Sequence, residues 1–260
     1  GLIFHQSGDV WRAWPELKGA GWSGFFSLDV WGPAFQTLVH IAVTSLWLLP
    51  VIGRSARVRV VFAGVSAGLH LWISSAFWFD LVAVKRVIDG GPPGFLTWSL
   101  PAVAGTLVYD ALSGGWKMPR LAVWGCLCMM AGYALSCLSN GGGWAAPPFT
   151  SNPNPQDMWT MSQRAGSASY QLFAAGFSIA LYSVFRVLCD FRGWRLGLFN
   201  DLGSNALAAY LLHNLVMDAL LKFAPKDSPA WWALSAGVLH FLLVWWMVRW
   251  LNAKKLYLRL

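Results

Sequence analysis

The chain has 260 residues, of which 57% are hydrophobic and only 12% charged, with a mean hydropathy of +0.50. That balance excludes an ordinary soluble domain and predicts an all-α, polytopic membrane protein. The formal charge of +8 would suit nucleic acid if the basic residues shared one face, but Lys and Arg are scattered through short loops, so no nucleic-acid partner is expected.

Residues 1–34 carry Trp11, Trp14, Trp22 and Trp31 among glycines, prolines and charges. This composition suits an external interfacial segment with aromatic anchors. It lacks the basic start and apolar core of a signal peptide. The opening GLIF reads as the last turn of a helix, so the chain is expected to begin downstream of a true N-terminus.

From residue 35 to 260 a single transmembrane helical domain is expected. It has about seven apolar segments, near 35–52, 58–79, 95–112, 121–138, 169–188, 203–223 and 230–251. Each is about the length needed to cross a hydrocarbon core of roughly 30 Å. Assigning loops to alternate sides places twelve Lys and Arg on one side and seven on the other. The richer side should face the cytoplasm, which puts the C-terminus inside. The other side holds GGPPG at Gly90 to Gly94, beyond Asp80 at the close of the second segment, and a long Gly/Pro-rich loop from Asn140 to Asp157, expected to form an ordered cap. Asp110, at the inner end of the third segment, should sit in water, as boundary carboxylates usually do.

Polarity inside the apolar segments is the main functional signal. The sixth segment reads LGSNALAAYLLHNLVMD from Leu202 to Asp218. At about 100° per residue, Tyr210, His213, Asn214 and Asp218 fall within an arc of roughly 140°, with Asn205 off its edge. Such groups belong against protein or a wet cavity. They could be helix-to-helix glue, helped by the small residues around them. Alternatively, His213 with Asp218 could line a site where a proton or polar substrate is handled. Histidines also occur at His40, His70 and His240, with His40 in the outer third of its segment and the others near the middle. Gln36 and His40 stand one turn apart at the start of the first segment. No metal is expected, because no His-x-x-x-His or carboxylate–His spacing lies within one segment. Cys126, Cys128, Cys137 and Cys189 are expected to be buried small hydrophobes, not a metal or redox set. No nucleophile elbow, phosphate loop or dinucleotide glycine pattern is present.

Several stretches together carry a resemblance: GLIFHQSG at the start, WGPAFQTL at Trp31 to Leu38, SYQLFAAGFSIALY at Ser169 to Tyr182, LGSNALAAYLLHNLV at Leu202 to Val216, and the terminal KKLYLRL. The chain resembles the heparan-alpha-glucosaminide N-acetyltransferase family of membrane acyltransferases, in particular its bacterial members. The resemblance implies a protein of the bacterial cytoplasmic (inner) membrane that moves an acetyl group from cytoplasmic acetyl-CoA, as co-substrate, to an amino sugar on the outer side. The family's external WNG-x-x-x-x-D-L-V-F-P stretch, with the histidine regarded there as catalytic, has no counterpart, so no base is carried over. Gln36 matches a family position whose flanking arginines are absent. Asn205, Tyr210 and His213 match the family's polar helix. The resemblance would place Asn205 and His213 in the cavity wall, with Tyr210 and Asn214 on the same helix, and His40 and Gln36 at its outer mouth. Two other readings start from the same residues. One is a non-catalytic subunit of a larger membrane complex, or a homo-oligomer, embedded in the lipid bilayer. The other is a transporter of sugars or lipid-linked sugars.

Overall fold

The computed structural model describes residues 37–84, 87–150, 156–220, 223 and 228–258. Gln36 and the interfacial segment 1–34 lie outside them. Among the described residues all regular structure is helical, and five stretches are long and apolar enough to cross a membrane: Ala56–Val82, Pro92–Ser113, Met118–Ser139, Ala168–Phe191 and Ala230–Ala253. The chain is thus a helical protein of membrane type. It falls into two compact units, Gly1–Val187 and Leu188–Leu260.

In the first unit, α1 (Thr37–Leu48) buries His40, Thr44 and Leu48, an i, i+4, i+8 stripe down one face. The next helix, α2 (Ala56–Ile73), runs on through a π turn at Ser74–Trp78 into Phe79–Val84, overshooting the expected end at residue 79. Next, α3 (Phe95–Ser113) opens on a short 3-10 turn, Pro92–Gly94, whose prolines fix φ and need no amide partner. Pro119 sits in the first turn of α4 (Met118–Ser136), where a missing N–H costs nothing. Finally, α5 (Ala168–Arg186) starts at Ser167, whose side chain accepts from the amide of Tyr170 as an N-cap should.

Glycine brings α4 and α5 into backbone contact. A Cβ on Gly132 would stand 2.6 Å from the amide nitrogen of Phe173, and one on Gly125 2.8 Å from the carbonyl of Gly176. Backbone cannot move aside as a flexible side chain can, so both sites accept only glycine at this spacing. An apolar cluster of Leu48, Val51, Ala63 and Val103 joins α1, α2 and α3. Beside it, the nearly buried Arg59 of α2 pairs with Asp110 of α3, so Asp110 is an ion-pair partner and not merely a solvated boundary carboxylate.

In the second unit the expected sixth span is two helices, α6 (Gly197–Ser204) and α7 (Ala206–Leu220). The break is at Asn205, with φ −136° and ψ 45°. Its physical reason is visible in the side chain: Nδ2 donates to the Leu256 carbonyl at 2.7 Å, and Oδ1 accepts from the Leu258 amide at 3.1 Å. Tethering the chain beyond α8 (Ala230–Ala253) in this way holds Asn205 out of helical geometry. Val216, Val244 and Val248 form the small core between α7 and α8.

Of the seven expected segments, five correspond to stretches long and apolar enough to span among the described residues, so seven spans are not shown. The first segment is described only from Thr37, as a 12-residue helix, and the sixth is divided. The cysteines also depart from expectation. Cys126 and Cys189 are exposed, while Cys128 and Cys137 are half-buried. On helices with apolar surroundings a thiol tolerates the outer surface as readily as the core, because it behaves as a small hydrophobe in either place.

Candidate functional site

The densest polar cluster of the first unit gathers on a turn, not within one helix. From Val87 to Gly94 the chain doubles back with φ positive at Asp89 (55°), Gly90 (86°) and Gly91 (60°). Glycine takes such values freely; of the other residues, Asp and Asn do so most readily. The turn is pinned from three directions. Trp78 Nε1, on the last residue of the π turn, donates to the Gly90 carbonyl at 3.0 Å. The Gly90 amide donates to the Arg164 carbonyl at 3.0 Å. Thr97 Oγ1, on the third residue of α3, lies 3.0 Å from the Gly94 carbonyl and 2.6 Å from the Gly166 carbonyl, and its hydroxyl ties the end of the turn to residue 166.

Asp89 is 2% exposed. Its Oδ2 accepts from Thr37 Oγ1 and its Oδ1 from Gln163 Nε2, each at 3.1 Å, while its backbone carbonyl accepts from Trp98 Nε1 at 3.2 Å. A buried carboxylate held by two neutral donors keeps acceptor capacity, since its two oxygens offer about four lone-pair positions. Against this turn lies His40, fully enclosed at 0% exposure, with its ring stacked on Trp98 at 5.3 Å and 7°. Gly94 closes over it: a Cβ there would meet His40 Cε1 at 2.7 Å. The structure thus puts His40, Thr37, Asp89, Thr97 and Trp98 around one turn.

The second unit assembles a different set. His213 Nδ1 donates to the Tyr210 carbonyl at 2.5 Å, and His240 Nε2 donates to the His213 carbonyl at 2.9 Å. Because a carbonyl can only accept, these bonds fix both tautomers. Nε2 of His213 and Nδ1 of His240 are then the acceptor nitrogens of the neutral rings. The two rings meet edge-on at 6.4 Å, and Tyr210 lies 5.3 Å from His213. Asn214 is half-buried, and Asp218, one turn beyond, is exposed. Asn205 stands apart from this group, with both polar atoms on the 256–258 backbone.

Of the residues singled out from sequence, His40 thus joins the turn, Tyr210, His213 and His240 form a second cluster, and Asn205 acts as a clasp. His70 is buried on α2 of the first unit. Asp89, Thr97, Trp98 and Gln163 were not singled out. The available signal was an aspartate directly before a Gly-Gly-Pro-Pro-Gly turn, where an acidic residue can take positive φ and aim its side chain inward. Among the described residues no group of three or more His, Cys, Asp or Glu is placed to hold a metal ion. Compared with protein-family models, with curated proteins and with solved structures, the chain matches none.

Proposed function

We propose that this protein is a membrane acyltransferase in which the turn at Asp89, closed over His40, binds and orients the acceptor amine. The resemblance described above supports acetyl transfer from acetyl-CoA to an amino sugar. The observation that carries the reading is the enclosed pairing of turn and imidazole: a carboxylate 2% exposed and a histidine 0% exposed within a glycine-closed, Trp-stacked enclosure. Transfer of an acyl group to an amine requires a group to take the amine proton and donors for the developing oxyanion. In this reading His40 takes the proton, Asp89 attracts the ammonium form of the acceptor, and the threonine and tryptophan donors fix the turn. The coenzyme diphosphate needs cationic donors. Arg54, exposed on the segment joining α1 and α2, and Arg57, exposed in the first turn of α2, are the candidates for that contact, while Arg59 is already paired with Asp110. The C-terminus is taken as cytoplasmic, in a bacterial inner membrane.

The test is labelled acetyl transfer from acetyl-CoA to glucosamine-type acceptors by membranes containing the full-length gene product. His40→Ala and Asp89→Asn should each lower transfer by at least about a hundredfold, the scale of a lost general base. His213→Ala and Asn205→Ala run alongside. Normal transfer by both turn variants removes the reading.

A second reading is favoured by one observation. Asn205 and His240 use their side chains on backbone groups of the second unit, as structural glue would. That is the behaviour of a scaffold subunit, or of one protomer in a homo-oligomer. A chain that co-isolates with a large assembly and transfers no acetyl group would establish it.

A further inference from the structure

We infer that the outer face of α4 holds an anionic phospholipid, with its headgroup phosphate on Lys117 and Arg120 and an acyl chain along the helix. The link from α3 to α4 is short and tightly built. Helix α3 ends in a Schellman turn: Gly115 has φ 79°, its amide donates to the Leu112 carbonyl at 3.0 Å, and the Trp116 amide donates to the Ala111 carbonyl at 2.9 Å. This fixes where Trp116 stands. The Arg120 guanidinium lies over the Trp116 ring, with Cζ 4.0 Å from the ring centroid, and Trp124 meets the same ring at 6.3 Å. A guanidinium held against a ring loses freedom to wander but keeps its N–H donors for oxygen acceptors. Lys117 and Arg120 are both exposed, and neither is in an ion pair among the described residues. The carboxylate nearest to them in sequence, Asp110, is bound to Arg59.

Below the two cations the helix offers an apolar track. Val123, Trp124, Leu127 and Met130 are exposed and fall with Arg120 within an arc of about 120°. The buried side of α4, through Leu121, Gly125, Gly132 and Ser136, points the opposite way, and its glycines are the ones that meet α5. Cations, an interfacial tryptophan pair and an apolar stripe thus follow one another along a single face, the order of groups along a phospholipid. A soluble phosphate would use the cations and leave the stripe bare. A neutral lipid would cover the stripe and leave the cations unmatched. An anionic phospholipid satisfies both, and this site is independent of the acyltransferase reading.

The experiment is photo-crosslinking of the full chain in phosphatidylcholine nanodiscs doped with phosphatidylglycerol carrying a diazirine on its acyl chain, with labelled peptides mapped by mass spectrometry. Labelling should concentrate on residues 116–130 and be displaced by unlabelled phosphatidylglycerol. Replacing both cations, Lys117→Gln with Arg120→Gln, should lower labelling of that segment about tenfold. Trp116→Leu, which releases the guanidinium, should lower it about threefold. Labelling of 116–130 no stronger than that of the other spans, equal labelling by the matching phosphatidylcholine probe, or no change in the double variant overturns the proposal. Displacement by inorganic phosphate or by acetyl-CoA also overturns it, since the cations would then serve a soluble anion. Should a variant fail to fold, the wild-type comparison of the two probes decides by itself.

Discussion

The turn at Asp89 and the helix break at Asn205 both place a small polar side chain at a non-helical position of an apolar chain, yet they use it differently. At Asp89 the carboxylate is reached by side chains from elsewhere in the sequence, Thr37 and Gln163, and stands beside a stacked imidazole. At Asn205 both polar atoms are engaged by the backbone at residues 256 and 258. A group whose partners are other side chains can exchange them for a substrate. A group that supplies the hydrogen bonds of backbone amides and carbonyls cannot leave without undoing the local fold. The comparison separates a position suited to chemistry from one that serves architecture.

The sharpest way to break that distinction is at Gly94. Adding a methyl group there drives Cβ to within 2.7 Å of His40 Cε1 and against the Asp89 backbone. Gly94→Ala is expected to cost about 3 kcal/mol, the upper range for overpacking. Chemical denaturation in detergent measures it, and a near-neutral result would show that the enclosure around His40 is loose.

Asp89→Ala comes next. It strands the Thr37 and Gln163 donors and forces alanine to a φ of 55°. Together these should cost about 2–3 kcal/mol. Asp89→Asn keeps one acceptor oxygen and tolerates the backbone, so about 1 kcal/mol is expected, with acetyl transfer lost all the same. Loss of stability and loss of transfer in equal measure for both variants would return Asp89 to a purely structural role.

Asn205→Ala is expected to cost less than Gly94→Ala or Asp89→Ala. It leaves the Leu256 carbonyl and Leu258 amide unsatisfied for about 1–2 kcal/mol, felt locally. Hydrogen exchange should show faster exchange at Leu258, with acetyl transfer retained. A collapse of transfer would place Asn205 in the chemistry and contradict the clasp.

Helical spans were legible because their signal is local. Pro119 and Ser167 mark where α4 and α5 begin, and apolar runs set their lengths. The turn was not legible for the opposite reason. Asp89 meets Thr37 across 52 residues and Gln163 across 74, so no periodicity within a window reports those contacts, and GGPPG reads alone as punctuation. Asn205 was half legible. Its position off the polar arc of Tyr210 and His213 separated it from them, but the divided helix depends on the chain near Leu256, far outside any window. His40 was visible as an intramembrane histidine. What encloses it, Trp98 and Gly94, becomes visible only once α1 and α3 are side by side.

The π turn at Ser74–Trp78 has a consequence for how the turn at Asp89 is reached. A π turn accommodates one surplus residue within an α-helix, so everything beyond it is rotated by about 100° relative to an uninterrupted helix. Trp78 closes the π turn, downstream of the surplus residue, and its indole meets the Gly90 carbonyl. Excising a single serine from this turn would straighten the helix, swing the indole a quarter-turn or so around its axis, and disconnect the anchor while leaving every other amino acid in place.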